Sequence, residues 1–337
     1  SILAAMLAAI MLLPVAASLG QTSAADGGFS AWKTNFDFLE LLGRHLYDVT
    51  PTIRSGNLPN IYCGMLAGFA VPIFATTKSI SGRRRAGMIG LLAGMEVSMV
   101  INNFDLFWHG LHSPNDLPYR FSFLYSVVLV LITYEALLHI REWETKQIGL
   151  SVGAIALYIF LEEKLGDDTY DFKSLYISLG LVVLYALVSA IIRNKKMILE
   201  AGYGLLLSVV VLEMVTASCG TFTTLNENEY FTQHNDYTDN SITKVVASSV
   251  EEMEKLGDKE AGEFYRCEVL PRRTCADTAL FDYNGISIFA SSNSYEETRF
   301  MGSLGYAVNG VNSFLYHAFV PSCDDLLGIR YVAMDEE

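Results

Sequence analysis

Residues 102–122 read NNFDLFWHGLHSPNDLPYRFS and lie between two strongly apolar segments, so we expect them at or near a membrane surface. Polar and ionisable groups are costly at membrane depth, so a cluster of them indicates a functional site. The alternative is a polar loop whose Trp and Tyr side chains anchor it at the interface. The side chains in question are Asn102, Asn103, Asp105, Trp108, His109, His112, Asp116, Tyr119 and Arg120.

The composition of the chain is that of an integral membrane protein. Of its 337 residues 51% are hydrophobic, and the mean hydropathy is +0.31. The apolar residues come in blocks of about twenty, the length that crosses the hydrocarbon core of a bilayer. The net charge of −14 does not indicate a nucleic-acid-binding protein, which would need basic patches.

Both ends of the sequence indicate an excerpt of a longer protein. Ser1 is followed at once by an apolar run without a basic flank or a cleavage site, unlike a secretory signal. The other end, GIRYVAMDEE, stops in a predicted strand. We therefore expect the chain to be truncated at both ends.

The apolar blocks predict an α-helical polytopic protein with seven spans and a transmembrane domain over 1–218. A short amphipathic helix is expected within 20–57, where the chain reads FDFLELLGRHLY. The predicted spans are 2–19, 61–77, 86–101, 121–139, 148–161, 174–192 and 197–218.

The basic residues predict the orientation of these spans. Arg83–Arg85, Arg141 with Lys146, and Arg193 with Lys195 and Lys196 all fall on one side when the spans alternate, which the positive-inside rule makes cytoplasmic. The loops 20–57, 102–120 and 162–173 then face outside, together with residues 219–337.

Residues 219–337 are predicted to form a small extracytoplasmic α+β region, incomplete in this excerpt. A short helix is expected at 250–256, strands at 264–270 and 285–291, and a helical turn at 324–328 before a last strand. A disulfide between Cys267 and Cys275 is an open alternative, because spacing fixes no connectivity. The cysteines have no zinc-type spacing. The run TASCG resembles a lipoprotein signal, but we interpret it as the small-residue end of the seventh helix.

Several motifs, in order along nearly the whole chain, resemble the YfhO family of bacterial multi-spanning membrane proteins. They are GNLPNIYCG (56–64), the DxxWHG core (105–110), PYRFSFL (118–124), FYR (264–266), YNGISIFASS (283–292), LGY (304–306) and DLLGIRYV (325–332).

The resemblance implies a GT-C type glycosyltransferase in the bacterial plasma membrane. Such an enzyme takes a sugar from a polyprenyl-phosphate carrier and passes it to an extracellular cell-wall glycopolymer, such as lipoteichoic acid. GT-C enzymes usually carry a key acidic residue in the first outer loop, near the amino terminus. That part is expected to be missing here, so the resemblance gives no position for the main catalytic carboxylate.

Within the central stretch, Asp105 and His109 are the candidate catalytic residues. Their i, i+4 spacing puts them on one face of a helical turn, as a base with its orienting partner or as ligands of a divalent metal. Two ligands do not complete a metal site, so no cofactor is assigned and a divalent metal stays possible. The alternative is a helix cap and an interfacial His.

Substrate-binding candidates surround this pair. Arg120 suits a phosphate group because its planar fork can bind phosphate oxygens in pairs, although it could also snorkel to water. Trp108 offers a ring face for a sugar, or an interfacial anchor. The remaining candidates are Tyr119, Asn102, Asn103, Arg54, Asn60 and Tyr62.

Glu96 and Glu213 lie inside apolar spans, where neither can face lipid while charged. We interpret them first as partners in cross-helix hydrogen bonds.

Two further functions are open. A lipid or polymer flippase needs polar residues along a path through the bilayer. A non-catalytic envelope scaffold needs only the outer region.

Overall fold

A computed structural model describes residues 2–23, 31–52, 58–109, 118–165, 170–194, 198–229, 239–257, 264–270 and 272–334. The chain divides into two compact units, residues 28–230 and residues 1–27 with 231–337.

The unit 28–230 is helical. Its helices are α2 (Phe38–Gly43), α3 (Met65–Thr76), α4 (Gly82–Val100), α5 (Asn102–Asp105), α6 (Ser122–Leu138), α7 (Thr145–Leu165), α8 (Phe172–Arg193) and α9 (Leu199–Glu229). Single 3₁₀ turns cover Leu106–His109 and Ile140–Glu142. The central helix is α3, which packs against α6, α7 and α8 and buries Phe69, Ile73 and Phe74 completely.

One end of this helical unit, which we call the basic end, carries Arg84 and Arg193, two of the residues expected in the cytoplasm. Arg84 in the first turn of α4 pairs with Glu135 of α6 at 2.6 Å. Arg193 at the end of α8 donates to Thr145 Oγ1 at 2.7 Å. The first contact brings the start of α4 to the end of α6, and the second brings the start of α7 to the end of α8.

The opposite end, which we call the loop end, gathers the predicted outer loops. Tyr170 donates to the carbonyl of Glu40 at 2.8 Å, and its ring lies against Gly43, which leaves no room for a Cβ atom there. The Asp48 carboxylate lies against Gly220 of α9 in the same way. The predicted grouping of these loops is present, and their side of the membrane stays a prediction.

Several helices expose large apolar side chains, as a bundle in lipid does. They include Val127, Val130 and Leu131 on α6, Leu187 on α8, and Leu207 and Leu212 on α9. Among the described helices, α8 and most of α9 are long and apolar enough to cross a membrane; α3, α6 and residues 6–19 are shorter apolar helices. The number of seven spans stays a prediction.

The prediction that the seventh helix ends in the small residues TASCG is wrong. Helix α9 continues through TASCG and ends at Glu229, not at 218. Gly220 does not stop the helix, because a glycine inside a helix costs only about 1 kcal/mol and is needed here for the close approach of Asp48. The division of the chain accordingly falls after residue 230.

The second unit combines α1 (Ile2–Leu19) with an α+β arrangement. Its elements are α10 (Ser241–Gly257), β1 (Arg266–Leu270), α11 (Asp277–Leu280), β2 (Ile288–Phe289), α12 (Tyr295–Ser303), β3 (Ala307–Val308), β4 (Ser313–Leu315), α13 (Pro321–Leu327) and β5 (Ile329–Met334). Strands β1 and β5 pair in parallel, and β2, β4 and β3 form an antiparallel sheet in that order.

The sequence located most of these elements but not their lengths. The helix predicted at 250–256 begins at Ser241, and the strand predicted at 285–291 is only two residues long. Helix α13 followed by β5 confirms the predicted helical turn and last strand. All five cysteine thiols are free, so Cys267 and Cys275 form no disulfide.

Candidate functional site

The central stretch begins where α4 ends, and Asn102 fixes the chain there. Its amide group accepts from the backbone N–H of Lys33 at 3.1 Å and donates to the carbonyl of Ala31 at 3.0 Å. Thr34 forms a β-bridge with Ile101 beside it. Asn102, a predicted substrate-binding residue, therefore ties the loop at 31–34 to the end of α4.

Asp105 and His109 come together as their spacing predicts. Asp105 closes α5, His109 closes the following 3₁₀ turn, and their Oδ1 and Nε2 atoms are 3.5 Å apart. Both side chains are sheltered, with 8% and 10% of their surface exposed. A carboxylate beside an imidazole can orient the ring and stabilise the imidazolium formed when a proton is taken up. The candidate substrate residue Asn103 is buried in the same turn.

Phe121 forms the centre of an aromatic cluster around this pair. Trp108 stacks on its ring at 4.4 Å between centroids, and His109 and Tyr119 contact it edge-on. The indole N–H of Trp108 donates to Ser98 Oγ at 3.0 Å. Trp108 is still 41% exposed, so Phe121 covers one ring face and solvent reaches the rest.

Tyr119 and Arg120 are adjacent in the chain but differ in environment. Tyr119 is buried with a left-handed φ of 61°, and burial followed by the charge of Asp105 raises the pKa of its phenol. Arg120 is exposed. The structure therefore brings Tyr119 into the surroundings of Asp105 and leaves Arg120 at the surface.

Two other substrate-binding candidates are held by internal hydrogen bonds. The side-chain oxygen of Asn60 accepts from the Arg44 guanidinium at 2.6 Å, and the side-chain amide nitrogen of Asn60 donates to the backbone carbonyl of Thr52 at 2.8 Å. The Tyr62 hydroxyl donates to Glu213 at 2.5 Å. Arg54 lies outside the described residues, as do His112 and Asp116.

Sequence reasoning missed Arg44, the buried cation that organises the loop end. Its guanidinium donates to the carbonyls of Pro59 and Thr50 at 3.1 and 2.8 Å in addition to Asn60. Burial lowers its pKa. The signal was available, since Arg44 interrupts the apolar spacing of FLELLGRHLY and a buried polar group needs partners.

Glu213 forms the cross-helix contact expected for it. Only 2% exposed, its carboxylate accepts from Tyr62, from Tyr185 of α8 and from the backbone N–H of Met65 at 2.6 Å. Because Met65 is the first residue of α3, Glu213 of α9 caps that helix and satisfies an N–H group that has no partner within it.

The described residues do not complete a site for a divalent metal. Asp105 and His109 supply two ligands, and no cluster of three or more His, Cys, Asp or Glu side chains is found in the described ranges.

Comparisons of the chain with the curated proteins and with the solved structures gave no match. A family model described as bacterial membrane protein YfhO matches residues 1–337, which confirms the resemblance seen in the motifs. The chain belongs to the YfhO family of bacterial membrane proteins.

Proposed function

We propose that the chain is part of a GT-C type membrane glycosyltransferase that uses a polyprenyl-phosphate sugar as donor. Its acceptor is an extracellular cell-wall glycopolymer such as lipoteichoic acid. The observation that carries this proposal is the sheltered Asp105–His109 pair at the loop end of a membrane protein. A base of this kind is what an acceptor hydroxyl requires.

The transfer balances without any further reactant. The acceptor hydroxyl oxygen bonds to the anomeric carbon of the sugar, while the bond between that carbon and the phosphate oxygen breaks. The bonding electrons leave with the phosphate, and the hydroxyl proton passes to the base. In our proposal one side chain of the Asp105–His109 pair takes this proton, and the other side chain holds the first in the correct orientation.

The present separation of the pair is compatible with that role. A distance of 3.5 Å is longer than a good hydrogen bond, but catalytic contacts often tighten only when substrate is bound. We propose that the exposed Arg120 binds the leaving phosphate at the level of the lipid headgroups. The solvent-exposed part of the Trp108 ring is our candidate surface for binding the sugar.

Transfer of labelled sugar in membranes containing the full-length protein tests this proposal. We would compare Asp105→Asn and Arg120→Ala with the wild type at equal abundance. Matched controls are Asp171→Asn and Lys33→Ala, which remove an exposed carboxylate and an exposed cation from the other predicted outer loops.

We expect both site variants to lose most of the activity, on the order of 100-fold for a lost base, while the controls keep theirs. Full activity in both site variants would assign the chemistry to another part of the protein. If the wild type transfers no sugar from any donor but moves lipid or polymer across vesicles, the protein is a flippase and the proposal is wrong.

A further inference from the structure

Three polar side chains form a continuous hydrogen-bonded chain inside the helical unit. His45 follows α2, Tyr125 lies on α6 and Glu96 lies on α4. The Tyr125 hydroxyl is 2.8 Å from His45 Nε2 and 2.7 Å from Glu96 Oε1. Sequence reasoning noted only Glu96, because its partners are 29 and 51 residues away along the chain.

The backbone fixes the direction of the first bond. His45 Nδ1 is 3.2 Å from the carbonyl oxygen of Leu42, which can only accept, so Nδ1 carries a hydrogen. In a neutral imidazole Nε2 is then an acceptor, and the Tyr125 hydroxyl must donate to it. That hydroxyl has a single hydrogen, so its contact with Glu96 requires the carboxyl group to donate in turn.

Only one other arrangement makes all the bonds. An imidazolium donates from Nε2 to the Tyr125 oxygen, and Tyr125 donates to an ionised Glu96. The two arrangements contain the same number of protons. In each of them, His45 and Glu96 together hold one proton more than a neutral imidazole and an ionised carboxylate would hold. Without that proton, Nε2 and the carboxylate compete for one hydrogen and a bond is lost.

The surroundings favour the arrangement with the proton on Glu96. Tyr125 is only 1% exposed, and its ring meets the ring of His45 edge-on at 5.5 Å. Burial lowers the pKa of His45 to about 4, so the imidazole is neutral near pH 7. Among the described residues, Cys63 is a titratable group close enough to interact electrostatically with Tyr125, while the guanidinium of Arg44 is bound to Pro59, Thr50 and Asn60.

We propose that His45, Tyr125 and Glu96 form a binding site for one exchangeable proton that ties the loop end to helices α4 and α6. Loss of the proton releases either the His45–Tyr125 bond, which holds α2, or the Tyr125–Glu96 bond, which joins the two helices. The site shares no residue with the Asp105–His109 pair, so it does not rest on the proposed glycosyl transfer.

Infrared and nitrogen NMR spectroscopy of the full-length protein in lipid nanodiscs near pH 7 test the proposal together. We expect a carbonyl stretch from a protonated, buried carboxyl group that disappears in Glu96→Gln and shifts in Tyr125→Phe. The ring nitrogens of His45 should show hydrogen on Nδ1 only. Tyr185→Phe is the matched control. It removes the hydrogen bond between Tyr185 and Glu213, which is not part of the His45–Tyr125–Glu96 chain, and should leave this stretch unshifted.

Doubly protonated His45 with an ionised Glu96 would be the other arrangement of the same site and would equally support it. An ionised Glu96 together with a neutral His45 would overturn the proposal. Because the shift in Tyr125→Phe also assigns the stretch to Glu96, the proposal is testable even if Glu96→Gln does not fold.

Discussion

The two units of the molecule hold their buried carboxylates in different ways. In the helical unit, the buried carboxylate of Glu213 accepts mainly from tyrosine hydroxyls that are distant in the chain. In the α+β unit, Glu268 and Asp277 bond mainly to backbone N–H groups within 19 residues. Asp324 of the same unit uses both kinds of donor, because it accepts hydrogen bonds from two tyrosine hydroxyls and from one backbone N–H group.

The difference follows from where backbone donors are available. A helix uses its own N–H groups internally and leaves only those of its first turn, so a carboxylate between helices must find side-chain donors. Met65 at the start of α3 is such a first-turn donor. Loops next to short strands present several N–H groups together, and a carboxylate can satisfy them at once. We therefore expect the two kinds of site to respond differently to change.

Glu268→Ala should have the largest effect. Glu268 is 1% exposed and accepts from the N–H groups of Ile286 and Ser287 and from the Ser287 hydroxyl. Backbone donors cannot turn away, so leaving them unsatisfied should destabilise the unit by on the order of 4 kcal/mol. Thermal unfolding and protease sensitivity of the full-length protein measure this. Glu252→Ala, on the exposed face of α10, is the control.

Acid should destabilise the helical unit through His45. Its pKa is about 4 in the folded protein against 6.5 for an ordinary histidine, so the unfolded chain binds a proton first as the pH falls. The contribution of His45 to the free energy of unfolding is therefore fully present above about pH 6.5 and is lost by about pH 4, by on the order of 2–3 kcal/mol. In the wild type a proton held on Glu96 offsets this loss, so the unfolding midpoints are measured in Glu96→Gln, where they should fall with the pH across this range. An equal fall in the double variant His45→Gln/Glu96→Gln would rule out His45 as the group responsible.

Glu213→Ala should cost less than Glu268→Ala. Two of its three donors are tyrosine hydroxyls, which can rotate toward other acceptors, so we expect a loss of about 2 kcal/mol. Unfolding midpoints of the two variants, with Glu200→Ala as the exposed control on α9, compare the units directly. An effect as large as that of Glu268→Ala would mean that donor type does not decide the response.

The sequence predicted features that depend on local periodicity. Each predicted apolar segment corresponds to a helix, and the i, i+4 spacing of Asp105 and His109 brought them to one face because a helical turn fixes that geometry. It could not predict partners set by packing: nothing local links His45 to Tyr125, 80 residues later. The end of α9 was also missed, because its last ten residues, GTFTTLNENE, are mostly small or polar and show no apolar period.

Gly43→Ala should produce the smallest of these losses. A Cβ atom at Gly43 would lie 2.2 Å from the Tyr170 ring, which must move and weaken its bond to Glu40. We expect a loss of about 1–2 kcal/mol from this overpacking. Gly90→Ala is the matched control, because nothing lies within 4 Å of its site and alanine should stabilise α4 slightly. Equal unfolding midpoints for the two variants would contradict the close contact at the loop end.

The approach of Asp48 to Gly220 has a consequence for how this chain can vary over evolution. An added Cβ at Gly220 would lie 2.3 Å from Asp48 Oδ1, so a side chain at one position excludes the present rotamer at the other. Related sequences that replace this glycine should carry a compensating change at position 48, a smaller residue or a shifted loop. Positions 48 and 220 would then covary and link a loop to the last helix of the helical unit, 172 residues away in the chain.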